Sequence, residues 1–458
     1  MELKTIAQSI FDDPSRSFGV ELWDGSFLPP ASRDSPSGRV ILRNPSALHA
    51  LLPPTNDRRL AEAFIEDKFD LQGDTIGLLE AAARWKGPHL RAALPALVSS
   101  WLHRALASSP ASLAARVSGR IHSEARDRKA VQHHYDVSNE FYQLFLDSSM
   151  VYSCGYFPSG SESLEAAQQN KLELICRKLD LRGGERLLDI GCGWGALLLH
   201  ANRRLGARAL GVTLAKNQLA EARRRLGALS SERVEIRATD YRELSPEEPF
   251  DKIASIGMME HVGRARLDEY FGSVYRLLRP GGLFLNQAIA DVAPQTPTLP
   301  WLRRSRSSAF VQRYIFPDGE AVPIGLVLQA AERAGFEVRD AESLREHYAQ
   351  TLAHWVSRLE RRFDQAVALV GRARARTWRL YLASFAASFR LGRLSVFQLL
   401  LAKRLANGRA VGLPRDRARW YDDLRPLPDE ERPDVREPTE DSDRSPEVDR
   451  TQLHAPPP

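Results

Sequence analysis

A glycine-rich turn carries the residues of this chain best suited to hold a ligand. Residues 187–195 read Leu-Leu-Asp-Ile-Gly-Cys-Gly-Trp-Gly and join an apolar run to a helix-forming segment. Its glycines are Gly191, Gly193 and Gly195. They permit positive φ and close backbone approach, while Asp189 places an acceptor at the carboxyl end of the predicted strand. The turn predicts a nucleoside site, although tight packing of strand against helix would also explain the glycines.

The spacing within this turn argues against a dinucleotide. A dinucleotide site needs Gly-x-Gly-x-x-Gly and an acidic residue about 20 positions later. This turn is Gly-x-Gly-x-Gly, and the next predicted strand, residues 207–212, is followed by Thr213. The pattern instead resembles the first motif of S-adenosylmethionine-dependent methyltransferases, whose open α/β sheet holds adenosylmethionine.

Acidic side chains follow two further predicted strands. Asp240 comes after the strand predicted at 233–238, and Glu260 after the one at 250–256. Ligands gather at the carboxyl edge of such sheets, so both side chains are candidates for a site. A turn residue for Asp240 and a solvated glutamate for Glu260 are the simpler interpretations. The strand and helix that flank the glycines are predicted at 186–190 and 196–205.

Length and composition describe a globular protein with room for two domains. The chain has 458 residues, of which 43% are hydrophobic and 27% charged. Cys154, Cys176 and Cys192 form no metal-ligand spacing, so we expect no metal site and a reducing compartment. No apolar run reaches the ~20 residues of a membrane span, and the first residues lack a basic-then-apolar signal. These features predict a cytoplasmic protein.

The charge is uneven along the chain. The net charge is +6, but the segment from Arg425 onward has five Arg against ten Asp and Glu, which leaves +11 on residues 1–424. A basic surplus suits a polyanionic partner, either nucleic acid or an anionic bilayer. An ordinary solvated arginine-rich surface is the alternative.

An ordered set of motifs resembles the cyclopropane fatty acid synthase (mycolic acid cyclopropane synthase) family. The resemblance covers residues 35–410 and includes Ser-Ile-Gly-Met-Met-Glu-His-Val-Gly at 255–263. The other matching segments are 132–139, 150–157, 187–195, 211–218, 240–241, 313–320 and 344–348. No single motif would suffice, but their order is specific.

The resemblance implies the architecture of the chain. We expect a Rossmann-like class I methyltransferase open sheet, of the α/β class, at 126–410, a mainly helical accessory domain at 1–125 and a helical C-terminal extension. Residues 425–458 are rich in proline and acidic residues and are predicted to be disordered.

The resemblance also implies the chemistry. The methyl carbon of S-adenosylmethionine would be transferred to the cis double bond of an unsaturated phospholipid acyl chain, which creates a carbocation in a dry pocket. A bound bicarbonate would then take a proton so that the ring closes. The protein would bind peripherally at the inner face of the membrane and would have no nucleic-acid partner. A homodimer is a possible oligomeric state.

Five positions correspond to the family's bicarbonate pocket. Glu260 and Tyr348 would position the anion, Cys154 stands at the family's cysteine with a backbone or packing role, and Ile289 offers a backbone contact. Gln287 stands where a histidine is common; its amide can donate a hydrogen bond but does not titrate near neutral pH. Phe385 replaces a cysteine of many members. Without the resemblance, an ordinary core tyrosine would explain Tyr348 nearly as well.

The resemblance assigns the cofactor site to three groups of residues. We expect the methionine end, the glycine turn, and the ribose and adenine contacts to be formed by Tyr152, Ser153, Asp189, Gly191, Cys192, Gly193, Gly195, Thr213, Leu214, Gln218, Asp240 and Tyr241.

Three other functions stay open. Residues 341–348 and 378–381, with the departures at Gln287 and Phe385, also resemble a branch that makes a 10-methylene product from oleoyl chains. A nucleic-acid methyltransferase would explain the basic charge, but base-flipping motifs are not evident. A non-catalytic lipid-binding protein would explain the two departures.

Regions outside the motifs are predicted more coarsely. We expect a strand over 39–45 and helices over 60–69 and 75–85, then a polar linker at 110–128. Short helices within 94–106 could lie on lipid or pack against the catalytic domain. An arginine-rich loop at 291–310 would lie by the substrate mouth. Residues 348–403 are predicted mostly helical, with arginines that would face anionic lipid or solvent.

Overall fold

In a computed structural model, the chain is described at residues 3–31, 38–51, 57–85, 113–115, 123–135, 137–227, 233–245, 249–292 and 308–422. Residues 1–426 form one compact unit. The predictions for 94–106, for Arg303, Arg304 and Arg306, and for the tail at 425–458 lie outside the described residues.

A seven-stranded sheet forms the centre of the catalytic half. Its strands are β5 (Arg186–Ile190), β6 (Arg208–Val212), β7 (Val234–Arg237), β8 (Phe250–Ile256), β9 (Leu278–Asp291), β10 (Glu337–Ser343) and β11 (Leu394–Ala402). Their order is β10-β11-β9-β8-β5-β6-β7, and β11 runs antiparallel to both of its neighbours. The pairs from β9 through β8, β5 and β6 to β7 are parallel. The predicted open α/β sheet is therefore confirmed.

The inner strands are apolar because both of their faces are covered by helices. Leu187, Leu188 and Ile190 of β5 are buried, as are Ile253 and Ala254 of β8. Such strands read as continuous apolar runs, which is why the sequence located them well.

Helices surround this sheet. They are α5 (Glu124–Tyr135), α6 (Asn139–Gln143), α7 (Leu164–Lys178), α8 (Ala196–Leu205), α9 (Lys216–Gly227), α10 (Leu267–Leu277), α11 (Ala309–Tyr314), α12 (Ile324–Arg333), α13 (Arg345–Arg361), α14 (Phe363–Val370), α15 (Arg372–Arg390) and α16 (Ala418–Tyr421). The helix predicted at 196–205 is confirmed at its stated bounds. Helix α5 begins within the segment predicted as a linker.

The N-terminal region combines helices with a second, four-stranded sheet. Its elements are α1 (Leu3–Phe11), β1 (Gly19–Glu21), β2 (Phe27–Leu28), β3 (Gly38–Leu42), α2 (Leu48–Leu51), α3 (Asp57–Ile65), β4 (Phe69–Gly73) and α4 (Thr75–Arg84). Helix predominates over strand among the described residues of this region, but of its strands we predicted β3 alone.

The helix predicted at 60–69 was placed too far along the chain. It ends at Ile65, because Asp67 adopts a left-handed conformation (φ 59°) and the N–H of Lys68 donates back to the carbonyl of Ala63. This reversal turns Phe69 into the first residue of β4, which pairs with β3.

The C-terminal part of the segment predicted as mostly helical is a strand. Helices α13, α14 and α15 confirm the prediction as far as Arg390, but Leu394–Ala402 forms β11. Most of its residues are buried, including Ser395 and Gln398, so no alternation of polar and apolar residues marks it as a strand.

Some arginines of α13 and α15 make internal contacts, whereas Arg361, Arg362, Arg372 and Arg374 are exposed, as the sequence predicted. Arg376 is 1% exposed; its guanidinium lies 3.2 Å from carboxylates of both Asp67 and Asp70 and donates to the Phe64 carbonyl at 2.7 Å. Arg379 lies 3.2 Å from Asp70, and Arg358 binds Glu165 at 2.7 Å. The N-terminal region is thus fastened to α15.

Candidate active site

The glycine turn connects β5 to α8 through three left-handed glycines. Gly191, Gly193 and Gly195 have φ values of 80°, 54° and 82°, which confirms the predicted backbone conformation. The N–H groups of Gly191 and Cys192 donate to the carbonyl of Val212 at 2.9 and 3.1 Å, so the turn is held against β6. A side chain at Gly191 would come within 3.1 Å of Met258. The turn is therefore specific to glycine on conformational grounds.

A cleft with a cavity volume of about 160 Å³, open to solvent, lies at the carboxyl ends of β5, β6, β7 and β8. We call it the cofactor cleft. It brings together all but one of the residues predicted to bind the cofactor, namely Tyr152, Ser153, Asp189, Gly191, Cys192, Gly193, Thr213, Leu214, Gln218, Asp240 and Tyr241. Gly195 is not in its wall but caps the amino end of α8.

One end of the cleft is lined by polar groups from β6 and β7. The hydroxyl of Thr213 accepts from the N–H of Ala215 at 3.2 Å and lies 3.2 Å from the side-chain oxygen of Gln218. Asp240 receives two hydrogen bonds from the guanidinium of Arg242, at 2.9 and 2.7 Å, and caps the short helix Tyr241–Glu243. Arg242 also binds Asp127 at 3.1 Å. Asp240 therefore lines the cleft, as predicted, and also forms the turn that the alternative interpretation of the sequence proposed.

The other end contains buried charges of opposite sign. Asp189 is 4% exposed, and burial raises its pKa to about 7, with the positive charge of Lys171 acting in the opposite direction. Lys171 of α7 donates to the hydroxyl of Ser153 at 3.0 Å. The Ser153 carbonyl accepts from the side chain of Gln168 at 2.9 Å.

The segment that leads into Tyr152 is held in a strained conformation. Met150 has a left-handed φ of 58°, which a methionine rarely adopts. The Asp147 carboxylate accepts from the N–H groups of Ser149 and Val151, both at 2.8 Å, and these bonds keep Met150 in place. Strain maintained by surrounding hydrogen bonds is typical of functional sites.

Glu260 lies beyond the end of β8 and is partly exposed as a residue, but its carboxyl group is buried; we call the surroundings of this carboxyl group the acid pocket. Glu260 follows the strand through the short helix Met259–His261 and accepts from the N–H of Ile289 at 2.7 Å. Burial raises its pKa to about 7, although the hydrogen bond from Ile289 lowers it. Its second oxygen is buried and, within the described part of the chain, has no hydrogen-bond partner. The solvated-glutamate interpretation is therefore wrong.

Aromatic side chains separate the acid pocket from the cofactor cleft. The hydroxyl of Tyr152 donates to that of Tyr381 at 3.5 Å, and Tyr381 interacts electrostatically with Glu260. Tyr348 interacts electrostatically with Tyr152 and packs on Phe389, with ring centroids 4.8 Å apart. Tyr152 therefore borders both compartments, since it also lines the cleft.

The remaining predicted catalytic positions are buried nearby. The thiol of Cys154 is fully buried, which raises its pKa, and donates to the Gly155 carbonyl at 3.2 Å. This environment suits a packing role. Gln287 is 2% exposed, and its side-chain oxygen accepts from the amide of Gln398 on β11 at 2.9 Å. Phe385 packs against Tyr381, with centroids 4.7 Å apart.

Several residues of the site were not predicted. Lys171, Arg242 and His261 line the cleft, and Tyr381 joins the acid pocket. A signal existed for Lys171, because it interrupts the apolar face that Leu172 and Ile175 form on α7. Tyr381 carries no such signal, because its apolar spacing on α15 is that of a core residue. No group of three His, Cys, Asp or Glu residues arranged to hold a metal occurs among the described residues.

The family described as mycolic acid cyclopropane synthetase matches residues 122–399. The chain belongs to this family. Its members include S-adenosylmethionine-dependent lipid methyltransferases and cyclopropane synthases, so the protein is an S-adenosylmethionine-dependent methyltransferase.

A relative in Pseudomonas putida extends the match beyond the catalytic half. The chain is 38% identical over 390 residues to the probable fatty acid methyltransferase of Pseudomonas putida. The matched residues cover 85% of this chain and 92% of that relative.

Two solved cyclopropane synthases of this family match a smaller part of the chain. The structure of cyclopropane synthase MmaA2 from Mycobacterium tuberculosis is 34% identical, with a TM-score of 0.57, and covers 60% of this chain and 98% of that one. Mycolic acid cyclopropane synthase CmaA1, complexed with SAH and CTAB, is also 34% identical, with a TM-score of 0.55, and covers 60% and 98% of the two chains. They support S-adenosylmethionine as the cofactor of this family member.

Proposed function

We propose that this family member transfers the methyl carbon of S-adenosylmethionine to the cis double bond of an unsaturated phospholipid acyl chain and closes it to a cyclopropane ring. The observation that carries the proposal is that Tyr152, which lines the open cofactor cleft, donates to Tyr381, and Tyr381 is close enough to the buried carboxyl group of Glu260 to interact with it electrostatically. An alkene is a weak nucleophile, so the carbocation formed by its methylation must be kept from water.

The cofactor cleft supplies the binding groups for the methyl donor. Bound S-adenosylmethionine would provide an electrophilic methyl group. Asp240 and Thr213 lie at one end of the cleft and Asp189 and Ser153 at the other, so an elongated polar ligand can be held at both ends. The glycine turn between them allows the backbone to approach the ligand closely.

The acid pocket is suited to a small anion. A bicarbonate held there would supply the base that removes the proton before ring closure. Glu260 fits such a guest, because its pKa of about 7 lets it carry a proton and donate from the oxygen that lacks a partner among the described residues. The Gln287 amide is fixed by Gln398, and Tyr348 packs on Trp355, which also packs on Tyr152.

The aromatic side chains supply the dry surroundings. Trp355 and Trp378 are 1% and 3% exposed and pack around Tyr152, with ring centroids 5.1 and 6.2 Å away. Their faces can stabilise a passing positive charge while they exclude water.

None of the helices in the described ranges is long and apolar enough to cross a membrane. We place the enzyme at the inner membrane surface as a peripheral protein.

A second product has a specific observation in its favour. The relative in Pseudomonas putida is named a probable fatty acid methyltransferase, and this chain has Gln287 and Phe385 where many cyclopropane synthases have histidine and cysteine. Loss of a different proton after a hydride shift would give a 10-methylene chain from the same cation.

The test combines S-adenosylmethionine labelled in its methyl group with unilamellar vesicles of dioleoyl phospholipid. We expect the label to enter the acyl chains, and mass spectrometry before and after hydrogenation identifies the product. A methylene group takes up hydrogen readily, whereas a ring resists it. Label in added nucleic acid, or none in lipid although cofactor binds, would contradict the proposal.

A further inference from the structure

A buried ammonium group in the wall of the cofactor cleft has no role in the chemistry above. Lys171 is 2% exposed and lies on α7, on the helix face shared with Gln168, Leu172 and Ile175. Lys171, Leu172 and Ile175 all line the cleft. A lysine at such a position is rarely buried unless an anion accompanies it.

The protein itself provides few partners for the ammonium group of Lys171. Within the described ranges, the Nζ of Lys171 makes one hydrogen bond, to the hydroxyl of Ser153, and no ion pair. Asp147 and Asp189 favour the charged form from a distance, while the Asp147 carboxylate is engaged by the N–H groups of Ser149 and Val151. A buried cation without a close counter-ion is costly, so a ligand that brings an anion to this point would bind strongly.

The charges around Lys171 are complementary to a zwitterion. Asp189 is buried at the end of β5 and lines the same end of the cleft. The amino-acid end of S-adenosylmethionine carries one carboxylate and one ammonium group. A buried lysine and a buried aspartate present the opposite pair.

We propose that Lys171 binds the α-carboxylate of S-adenosylmethionine, while Asp189 faces its α-ammonium group. Lys171 is then a cofactor-binding residue, and the hydroxyl of Ser153 orients its ammonium group. The inference rests on the cofactor cleft and not on the lipid product, so it stands whether the enzyme makes a ring or a methylene group.

Equilibrium binding of two ligands tests the assignment. S-adenosylhomocysteine keeps the carboxylate, and its decarboxylated form lacks only that group; both are titrated by calorimetry into the full chain without lipid. Charge-assisted hydrogen bonds make us expect the wild type to prefer S-adenosylhomocysteine by about 100-fold. Lys171→Met should lower the affinity for S-adenosylhomocysteine by about the same factor and leave that for the decarboxylated ligand within about threefold.

Lys178 provides a matched control, because it is equally buried, on the same helix, and outside the cleft. It is 1% exposed and pairs with Glu342 and, at 3.5 Å, with Asp340. Lys178→Met should leave the preference for S-adenosylhomocysteine unchanged, and Lys171→Arg should restore part of it in the cleft. An equal loss of both ligands in Lys171→Met would mean that the lysine only supports the fold and would overturn the assignment. If Lys171→Met does not fold, a wild type that binds both ligands equally overturns it as well.

Discussion

The cofactor cleft and the acid pocket each bury a carboxyl group whose pKa is raised to about 7, but their surroundings differ. Asp189 in the cleft has a lysine close enough to oppose the shift, whereas Glu260 in the pocket is opposed by backbone N–H groups. The cleft is open to solvent and contains charges of both signs, whereas in the pocket one carboxyl oxygen of Glu260 is buried and the aromatic Tyr381 interacts with it electrostatically. The difference indicates that the cleft recognises a charged ligand, while the pocket holds a proton-bearing group.

The largest expected effect separates the two compartments by function. Glu260→Gln should lower lipid alkylation by about 1,000-fold, as expected when the group that holds the base for proton transfer is lost. S-adenosylmethionine affinity should stay within about threefold, because Glu260 does not line the cleft. Vesicle alkylation and calorimetry measure the two quantities.

Glu320→Gln is the matched control for this change. Glu320 is a neighbouring acidic residue whose N–H donates to the Glu260 carbonyl and whose side chain accepts from the N–H of Arg264. Its amide variant should keep both activities. Equal losses of alkylation and cofactor binding in Glu260→Gln would refute the separation of the compartments.

The next effect concerns stability and pH. The pKa of Glu260 rises from 4.5 to about 7 on folding, so its stabilising contribution is complete below pH 4.5 and is lost as the pH rises to 7. The free energy of unfolding of the wild type, relative to Glu260→Gln, should fall by on the order of 3 kcal/mol across this window. Urea denaturation at several pH values measures it. A difference that does not change with pH would show that Glu260 is not buried as an acid.

A smaller effect should appear on the cleft side alone. Asp240→Asn removes the charge that Arg242 binds. It should weaken S-adenosylmethionine binding by about tenfold, because the hydrogen bond expected between the cofactor and Asp240 would no longer be charge-assisted. Alkylation at saturating cofactor should persist. Asp268→Asn, at an exposed residue of α10, controls for the change of charge. Loss of alkylation at saturating cofactor would contradict the assignment of Asp240 to cofactor binding alone.

The smallest effect tests how the pocket orients its amide. Gln398→Leu removes the donor to Gln287 and should lower alkylation by about fivefold, with cofactor binding unchanged. Ser395→Ala, which removes a hydrogen bond of the same strand to Ser343, is the control. An unchanged rate in Gln398→Leu would mean that the orientation of Gln287 does not matter.

The sequence predicted the cleft far better than the pocket. The glycine turn, β5 and α8 are local features that the spacing of apolar residues and glycines reveals, and the resemblance supplied the remaining cleft residues. The acid pocket joins residues as distant as Tyr152 and Tyr381, and Tyr381 looks like any core residue of α15. The resemblance supplied Glu260 and Tyr348, but Lys171 and Tyr381 required the structure.

Strands β1, β2 and β4 of the N-terminal sheet and strand β11 were not predicted, and the reasons are physical. Strands β1 and β2 are too short to display an alternation. Strand β11 is buried on both faces, so its apolar run does not distinguish it from the helices before it. The arginines of α15 followed a helical pattern that fits a solvated face, and only the positions of Asp67 and Asp70 reveal their use.

The way Arg376 is held determines how this enzyme can be shortened or recombined. Its guanidinium is surrounded by Phe64, Asp67, Asp70 and the Phe69 carbonyl, all from the first 85 residues, while about one and a half turns later in the same helix Tyr381 faces the acid pocket. A truncated chain that begins at the catalytic half would leave this cation without its two carboxylate partners and without the Phe64 ring that covers it. A protein engineer who exchanges the N-terminal region with that of a relative must therefore transplant the arginine row at 372, 376 and 379 together with it.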